Sequence, residues 1–338
     1  MNEEQLMQAA WYDRQGAAKE VIQYEKIPIP QPGEGEVKVK VFASGVNPSD
    51  TKVRSGWGGI PQSFPRIIPH QDGAGVIESV GEGVSKDRIG ERVWLYEAQQ
   101  KRAFGTAAEY AIVPSQQAVT LPDNTSFVEG ACLGVPAMTA HRAVFADGSI
   151  AKKTVLVTGG AGAVGNYAVQ WAKWGGATVI TTVSREEQAK IAEAAGADYI
   201  INYKSENVVE RIREITGRER GINRIVDVNF SQNLAVADAV LRTNGAIAMY
   251  AANPDDAPAL PILSLMMRNI NLRTILVYTM PQEAKLAAIR DITTALEAGA
   301  LHHNIARRFP LSEVATAHDL QDSGQAIGKV IIDLAEKF

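Results

Sequence analysis

Between Val155 and Gly165 the chain reads Val155-Leu156-Val157-Thr158-Gly159-Gly160-Ala161-Gly162-Ala163-Val164-Gly165, an apolar strand running through clustered glycines into an apolar helix. Gly160, Gly162 and Gly165 keep a G-x-G-x-x-G spacing within it. Such a turn needs glycine for three reasons. The chain must leave the strand tightly, a pyrophosphate must approach backbone that carries no Cβ, and the helix must pack close to the sheet. Free N–H groups and the dipole at the helix start then favour phosphate charge. The spacing alone is a weak signal, and a glycine-rich turn without a ligand is its alternative. Its context strengthens it, because the turn heads a long strand–helix series. On this reading Gly160, Ala161, Gly162, Ala163, Val164 and Gly165 cradle a dinucleotide.

In that series, strands are predicted at 154–158, 177–183, 199–201, 224–228, 246–250 and 272–277. Helices are predicted at 163–174, 185–195, 206–216 and 282–298. This alternation is the pattern of an α/β fold with a doubly wound parallel sheet. The first third differs, with short alternating runs such as Glu36-Val37-Lys38-Val39-Lys40-Val41-Phe42 between Pro and Gly turns. These read as half-exposed strands of a compact β-rich domain. A last strand is predicted at 329–334. The expected division is a domain over 1–129 completed by 278–338, with the dinucleotide domain over 130–277.

The 338 residues are 46% hydrophobic and 21% charged with a net charge of −4, so nothing electrostatic favours nucleic acid or an anionic membrane as partner. The one cysteine, Cys132, rules out an intrachain disulfide and a four-thiolate zinc site. It lies in an apolar run, where a buried inert thiol is expected, and the lack of disulfides fits a reducing cytosol. The acidic start lacks the marks of a signal peptide, and no apolar run approaches the roughly 20 residues of a membrane helix. A soluble, cytoplasmic protein with a small-molecule substrate is expected. No G-x-S-x-G elbow, H-E-x-x-H or G-x-x-x-x-G-K-[ST] sequence occurs.

The strand after the glycine turn, Thr181-Thr182-Val183, runs into Ser184-Arg185 with no carboxylate at its tip. An acid there would accept from the ribose 2′-hydroxyl of NAD, whereas a hydroxyl beside a cation suits a 2′-phosphate. NADPH is therefore expected, with Tyr203 and Lys204 near the same adenosine end. Glu186 and Glu187 follow the tip and read as helix N-terminal acids. Arg185 either meets the phosphate or is a solvated first-turn residue.

Several further motifs occur in order: Gly45-Val46-Asn47-Pro48-Ser49-Asp50, Arg54-Ser55-Gly56, Asp72-Gly73-Ala74-Gly75-Val76, Gly105-Thr106-Ala107-Ala108-Glu109-Tyr110, Pro136-Ala137-Met138-Thr139-Ala140 and Gly328-Lys329-Val330. With the glycine turn, they resemble the zinc-independent quinone oxidoreductase, or zeta-crystallin-like, branch of the medium-chain dehydrogenase/reductase superfamily. The resemblance implies a GroES-like β-rich catalytic domain built from both chain ends and a Rossmann domain inserted between them. It also implies a site in the cleft, NADPH dependence and a homodimer. The implied reaction is reduction of a quinone. An ene reductase of α,β-unsaturated carbonyls or acrylates is the neighbouring reading, and an NADPH-binding structural or RNA-binding protein is the reading from another class.

The same resemblance bears on single residues. Zinc-dependent relatives place a cysteine where this chain has Asn47 and a His-Glu pair where it has Gln71-Asp72. His70 falls one position early, so no metal is expected and His70 reads as a structural histidine. Asn47 is the leading candidate for polar contact with substrate. Asp50 and Arg54 are catalytic candidates that could instead pair with each other. Tyr96 is either a wall or proton-relay residue, or an aromatic packed against the barrel. Thr139 is placed near the nicotinamide or its ribose, and Tyr250, Ala251 and Lys329 are assigned to the cofactor. Two positions depart from the family: Lys52 stands where a tyrosine is common, and Gln188 where a lysine often approaches the 2′-phosphate.

Overall fold

The computed structural model describes residues 5–253 and 255–334. The chain divides into two compact units, Met1–Val135 with Ile289–Phe338, and Pro136–Ala288.

The first unit opens with β1 (Leu6–Trp11), α1 (Ala18–Val21) and β2 (Gln23–Pro28), the two strands forming an antiparallel pair. The long β3 (Glu36–Val46) leads into α2 (Pro48–Ser55). Then come β4 (Asp72–Val80), β5 (Arg92–Leu95), β6 (Tyr110–Pro114), β7 (Ala118–Thr120) and α3 (Phe127–Gly130). Val37, Val39 and Val41 of β3 face inward with Ile77, Val93 and Leu95, the alternation that makes one sheet face a core. Lys40 faces solvent, but Lys38 is buried, its ammonium on Glu78 (2.8 Å) and beside the Tyr110 ring. Helix α2 starts and stops on local chemistry. Pro48 occupies the first turn, Asp50 Oδ2 accepts from the Asn47 N–H, and Gly56 ends the helix at φ 71°.

Helix α4 (Gly134–Phe145) carries the chain into the second unit. There β8 (Thr154–Thr158), α5 (Ala163–Trp174), β9 (Thr178–Val183), α6 (Glu186–Ala194), β10 (Tyr199–Asn202) and α7 (Val208–Thr216) follow. The series continues with β11 (Ile222–Asp227), α8 (Phe230–Val240), β12 (Leu241–Met249), α9 (Ile262–Met267) and β13 (Asn271–Thr274). All six strands are parallel, in the order β10-β9-β8-β11-β12-β13. The order reverses between β8 and β11, the switch point at which open α/β sheets bind ligands. Helix α10 (Gln282–Glu297) returns to the first unit, where β14 (Ile305–Pro310), α11 (Val314–Asp322) and β15 (Lys329–Asp333) close a seven-stranded sheet. Its order is β14-β15-β3-β4-β5-β7, with β6 also pairing β3.

The expected parallel-sheet and β-rich textures are both present. The strand predicted at 272–277 is shorter: β13 ends at Thr274 because its partner β12 ends at Met249, and Val277 begins a helical turn. Helix α8 had no counterpart in the predicted series. Its buried Leu234, Ala237 and Val240 are spaced for a helix, but the segment has no strong polar face to mark it. No helix among the described residues is long and apolar enough to cross a membrane.

Candidate active site

In the Pro136–Ala288 unit, the chain leaves β8 through Gly159, which adopts φ 69°. That left-handed turn, assigned above to the G-x-G-x-x-G glycines, belongs to the residue just before them. A Cβ on Gly165 would lie 2.2 Å from the Gly159 carbonyl oxygen, and one on Gly160 would lie 2.1 Å from Thr181 Oγ1. Close packing therefore demands both. Gly162 differs: a Cβ there would meet nothing nearer than 3.4 Å, so that edge of the turn is open. Gly162 caps α5 with no side chain of its own, and the next N–H groups, Ala163 and Val164, belong to a first turn that has no intrahelical acceptors. A turn that carries no Cβ at Gly162 and ends in the partial positive charge of a helix N-terminus fits a pyrophosphate.

A cavity of about 510 Å³ lies toward the carboxyl ends of β8, β9 and β11, bordered by Thr158, Gly159, Thr182, Tyr203, Asp227 and Asn233. Asp227 was not anticipated. It accepts from Asn229 N (2.7 Å) and Asn233 Nδ2 (3.1 Å), and burial raises its carboxyl above the usual range. At the tip of β9, Ser184 is half-buried and Arg185 is exposed, in extended conformation, as the cap of α6. Tyr203 is exposed, with its N–H on Val183 O (3.0 Å). Tyr250 is half-buried just beyond β12 with its N–H on Asp227 O (3.2 Å), and Ala251 follows it. Thr139 is buried on α4.

The other unit holds a buried polar cluster. Asn47, Asp72 and Lys329 are all but closed to solvent. Lys329 Nζ donates to Asn47 Oδ1 (2.5 Å) and to Asp72 Oδ2 (2.7 Å), while Asn47 Nδ2 donates to Asp72 Oδ2 (2.8 Å). Asp72 Oδ1 accepts from Val135 N (2.9 Å). Lys329, assigned above to the cofactor, thus stands in this cluster with Asn47. Asp50 adds a second buried carboxyl. Burial first, then the charge of Asp72, push it up to about 7, and its Oδ1 has no hydrogen-bond partner among the described residues.

The Asp50–Arg54 pair, the alternative to a catalytic role for these residues, does not form. Asp50 turns back onto the start of α2, while Arg54 reaches Asp322 of α11 (2.5 Å) and the Gly16 carbonyl (2.5 Å). Tyr96 is buried with its ring tilted against Trp94, its hydroxyl donating to Gln116 O (3.3 Å). Burial, then Glu97, push that phenol up to about 12. Cys132 is buried, and its thiol is likewise pushed up to about 12.

His70 is wholly buried, and its hydrogen bonds run in one direction. Thr106 Oγ1 donates to the Asp72 carbonyl (2.6 Å), which spends its only proton. Ser44 Oγ must then donate to Thr106 (2.7 Å), and His70 Nδ1–H to Ser44 (2.8 Å). This leaves His70 Nε2 to accept from His318 Nε2–H (2.8 Å). Burial holds both imidazoles well below their ordinary range, so both are neutral. His70 is tied inward by this chain. Among the described residues, no group of three or more His, Cys, Asp or Glu side chains is arranged to hold a metal.

Lys52, on the helix that Asn47 precedes, is half-buried, its ammonium 4.1 Å over the Trp57 ring. Burial lowers its proton affinity.

Residues 33–123 match the family model described as alcohol dehydrogenase GroES-like domain, and residues 163–294 the one described as zinc-binding dehydrogenase. The chain is 31% identical to human quinone oxidoreductase over 315 residues, covering 90% of this chain and 91% of that one. It is 29% identical to the 2-haloacrylate reductase of a Burkholderia species over 342 residues, covering 97% and 99% of the two chains. The crystal structure of Escherichia coli quinone oxidoreductase complexed with NADPH matches with a TM-score of 0.83 at 26% identity, covering 96% and 99%. On this sequence match and this shared fold, the chain belongs to the quinone oxidoreductase family of the medium-chain dehydrogenase/reductase superfamily.

Proposed function

We propose that the chain is a zinc-independent, NADPH-dependent oxidoreductase whose electron acceptor is a small quinone. The observation that carries the cofactor reading is the acid-free tip of β9, where Ser184 and the exposed Arg185 follow a glycine turn built for pyrophosphate. Arg185 then pairs with the 2′-phosphate, Ser184 and Tyr203 border the adenosine, and the Ala163 and Val164 backbone N–H groups take the pyrophosphate. Thr139, Tyr250 and Ala251 serve the nicotinamide end. NADPH supplies hydride from its nicotinamide C4 when bound. A quinone spreads the developing negative charge through its own conjugation. The chain's remaining tasks are to orient the partners, exclude water and donate a hydrogen bond to the charged oxygen. Asn47 is the residue assigned to that last task. The zinc-independent reading rests on the donor set: an amide at position 47 and another at Gln71 are poor substitutes for thiolate and imidazole.

A second reading has its own support. The similarity to a 2-haloacrylate reductase, with the half-buried Lys52 cation on the helix that begins after Asn47, fits an α,β-unsaturated acceptor carrying a carboxylate.

The protein is further proposed to work in the cytoplasm as a homodimer. Helix α9 turns Ile262, Leu263, Met266 and Met267 to solvent, next in sequence to the edge strand β13, whose outer hydrogen-bonding groups are unpaired in the sheet.

Steady-state rates with NADPH against benzoquinones, enones and haloacrylates test the activity. The quinones are expected to give the highest kcat/KM, with no loss of rate on chelation. A faster haloacrylate would shift the substrate class. Tight NADPH binding without turnover of any acceptor would return the chain to a structural or RNA-binding role.

A further inference from the structure

We propose that Lys329 and Asp72 are positioning residues that commit the Asn47 side chain to act as a hydrogen-bond donor toward the electron acceptor. This rests on the oxidoreductase reading above for its purpose, though not for its geometry.

A carboxamide has two ends of nearly equal shape and opposite function, and a half-turn about its last bond exchanges them. In this cluster the exchange is blocked by charge. An ammonium has only donors, so Lys329 Nζ can face only the oxygen end, at 2.5 Å. A carboxylate has only acceptors, so Asp72 Oδ2 can face only the nitrogen end, at 2.8 Å. Turning the amide over would set N–H against ammonium and C=O against carboxylate, both in a site closed to solvent. The two holders are themselves held. Lys329 and Asp72 pair directly at 2.7 Å, and the other Asp72 oxygen is tied to Val135 N at 2.9 Å.

The chain makes room for this arrangement. A Cβ on Gly45 would fall 2.6 Å from Lys329 Cε, so glycine at that point of β3 leaves the lysine its path. Antiparallel pairing of β15 with β3, with Val330 opposite Val46, brings together residues 282 apart in sequence. The functional consequence is polarity. The carbonyl end of Asn47 is consumed by a cation and one of its two N–H groups by Asp72, so what it retains is the second N–H, polarised by the ammonium on its own carbonyl. An acceptor oxygen gaining negative charge needs a donor of this kind. The ammonium is neutralised by Asp72 and acts through the amide.

The test uses the intact protein with Lys329→Met, the charge-neutral pair Asp72→Asn/Lys329→Met, Asn47→Ala, and Asn47→Ala with Lys329→Met. Loss of Lys329 is expected to lower kcat about thirtyfold while NADPH affinity stays within about twofold. In the Asn47→Ala background the same change should cost no more than about twofold, since the residue it positions is already gone. The charge-neutral pair, which does not leave the Asp72 carboxylate without its cation, should be as slow as the single variant and covers the case in which that variant fails to fold.

A second readout is independent of turnover. In ¹⁵N spectra the Asn47 side-chain amide, assigned by its disappearance in Asn47→Ala, should exchange slowly in the native protein and quickly once Lys329 is removed. Wild-type kcat in the charge-neutral pair, fully additive losses, or an NADPH affinity that falls as far as kcat would overturn the proposal. So would an Asn47 amide that exchanges as fast as an exposed one. Native protein that reduces no acceptor would defeat the oxidoreductase reading, and the amide exchange alone would then decide the positioning.

Discussion

Gln188 Oε1 accepts two hydrogen bonds from Ser184, one from its backbone N–H at 2.8 Å and one from its hydroxyl at 2.9 Å. A side chain of α6 thus folds back over the end of β9 and holds the turn that presents Arg185. Gln188, the position at which the family resemblance implies a phosphate-binding lysine, here braces the strand tip. Arg185 is left as the cation at that point, exposed and extended.

Replacing Arg185 with Asp should therefore weaken NADPH by about thirtyfold or more, since a charge-assisted contact contributes about 1.5–3 kcal/mol and a carboxylate adds repulsion. NADH affinity should change by less than about threefold. Fluorescence titration with both cofactors measures the two effects, and equal losses would place the 2′-phosphate elsewhere.

Asp50 predicts a pH signature. Its folded-state value of about 7, well above that of an ordinary aspartate, means the folded protein keeps a proton that the unfolded chain releases. The unfolded state then binds fewer protons between those values, so stability falls as pH rises from about 4 to 7. Removing the titration with Asp50→Asn should flatten that fall by about 2 kcal/mol between pH 5 and 7. Urea unfolding of both proteins across this range is the measurement. Parallel pH profiles would show that Asp50 is ionised throughout.

The exposed apolar face of α9 predicts assembly. Leu263 and Met267 are 66% and 77% exposed. The double change Leu263→Asp/Met267→Asp should convert a dimer into monomers with no loss of secondary structure, because neither side chain contributes to the core. Sedimentation velocity decides it, and a monomeric native protein at tens of micromolar would remove the basis for the proposal.

Much of the second unit was legible because its signals are local. Strand 154–158 and helix 163–174 coincide with β8 and α5, since a buried apolar run, a glycine turn and a 3.6-residue period each act within a few residues. Gly159 could have been recognised as the turn-former, because it stands between the strand and the G-x-G-x-x-G glycines. Asp227 could not, because its partners depend on how the end of β11 meets α8. Tyr96 carried two readings that sequence alone could not separate. Its placement against Trp94, with its hydroxyl on Gln116 O, depends on where distant strands bring the ring.

The sequence by itself determined the strand–turn–helix that begins the parallel sheet, the acid-free strand tip beyond it, and the amide that stands at position 47. Those properties reside in residue identity and short-range spacing. Tertiary structure alone decided that Lys329 faces Asn47, that Arg54 turns to Asp322 and away from Asp50, and that His70 is tied inward to His318. Each of these contacts joins residues hundreds of positions apart. Strand register and burial choose such partners, and no local period of the sequence encodes them.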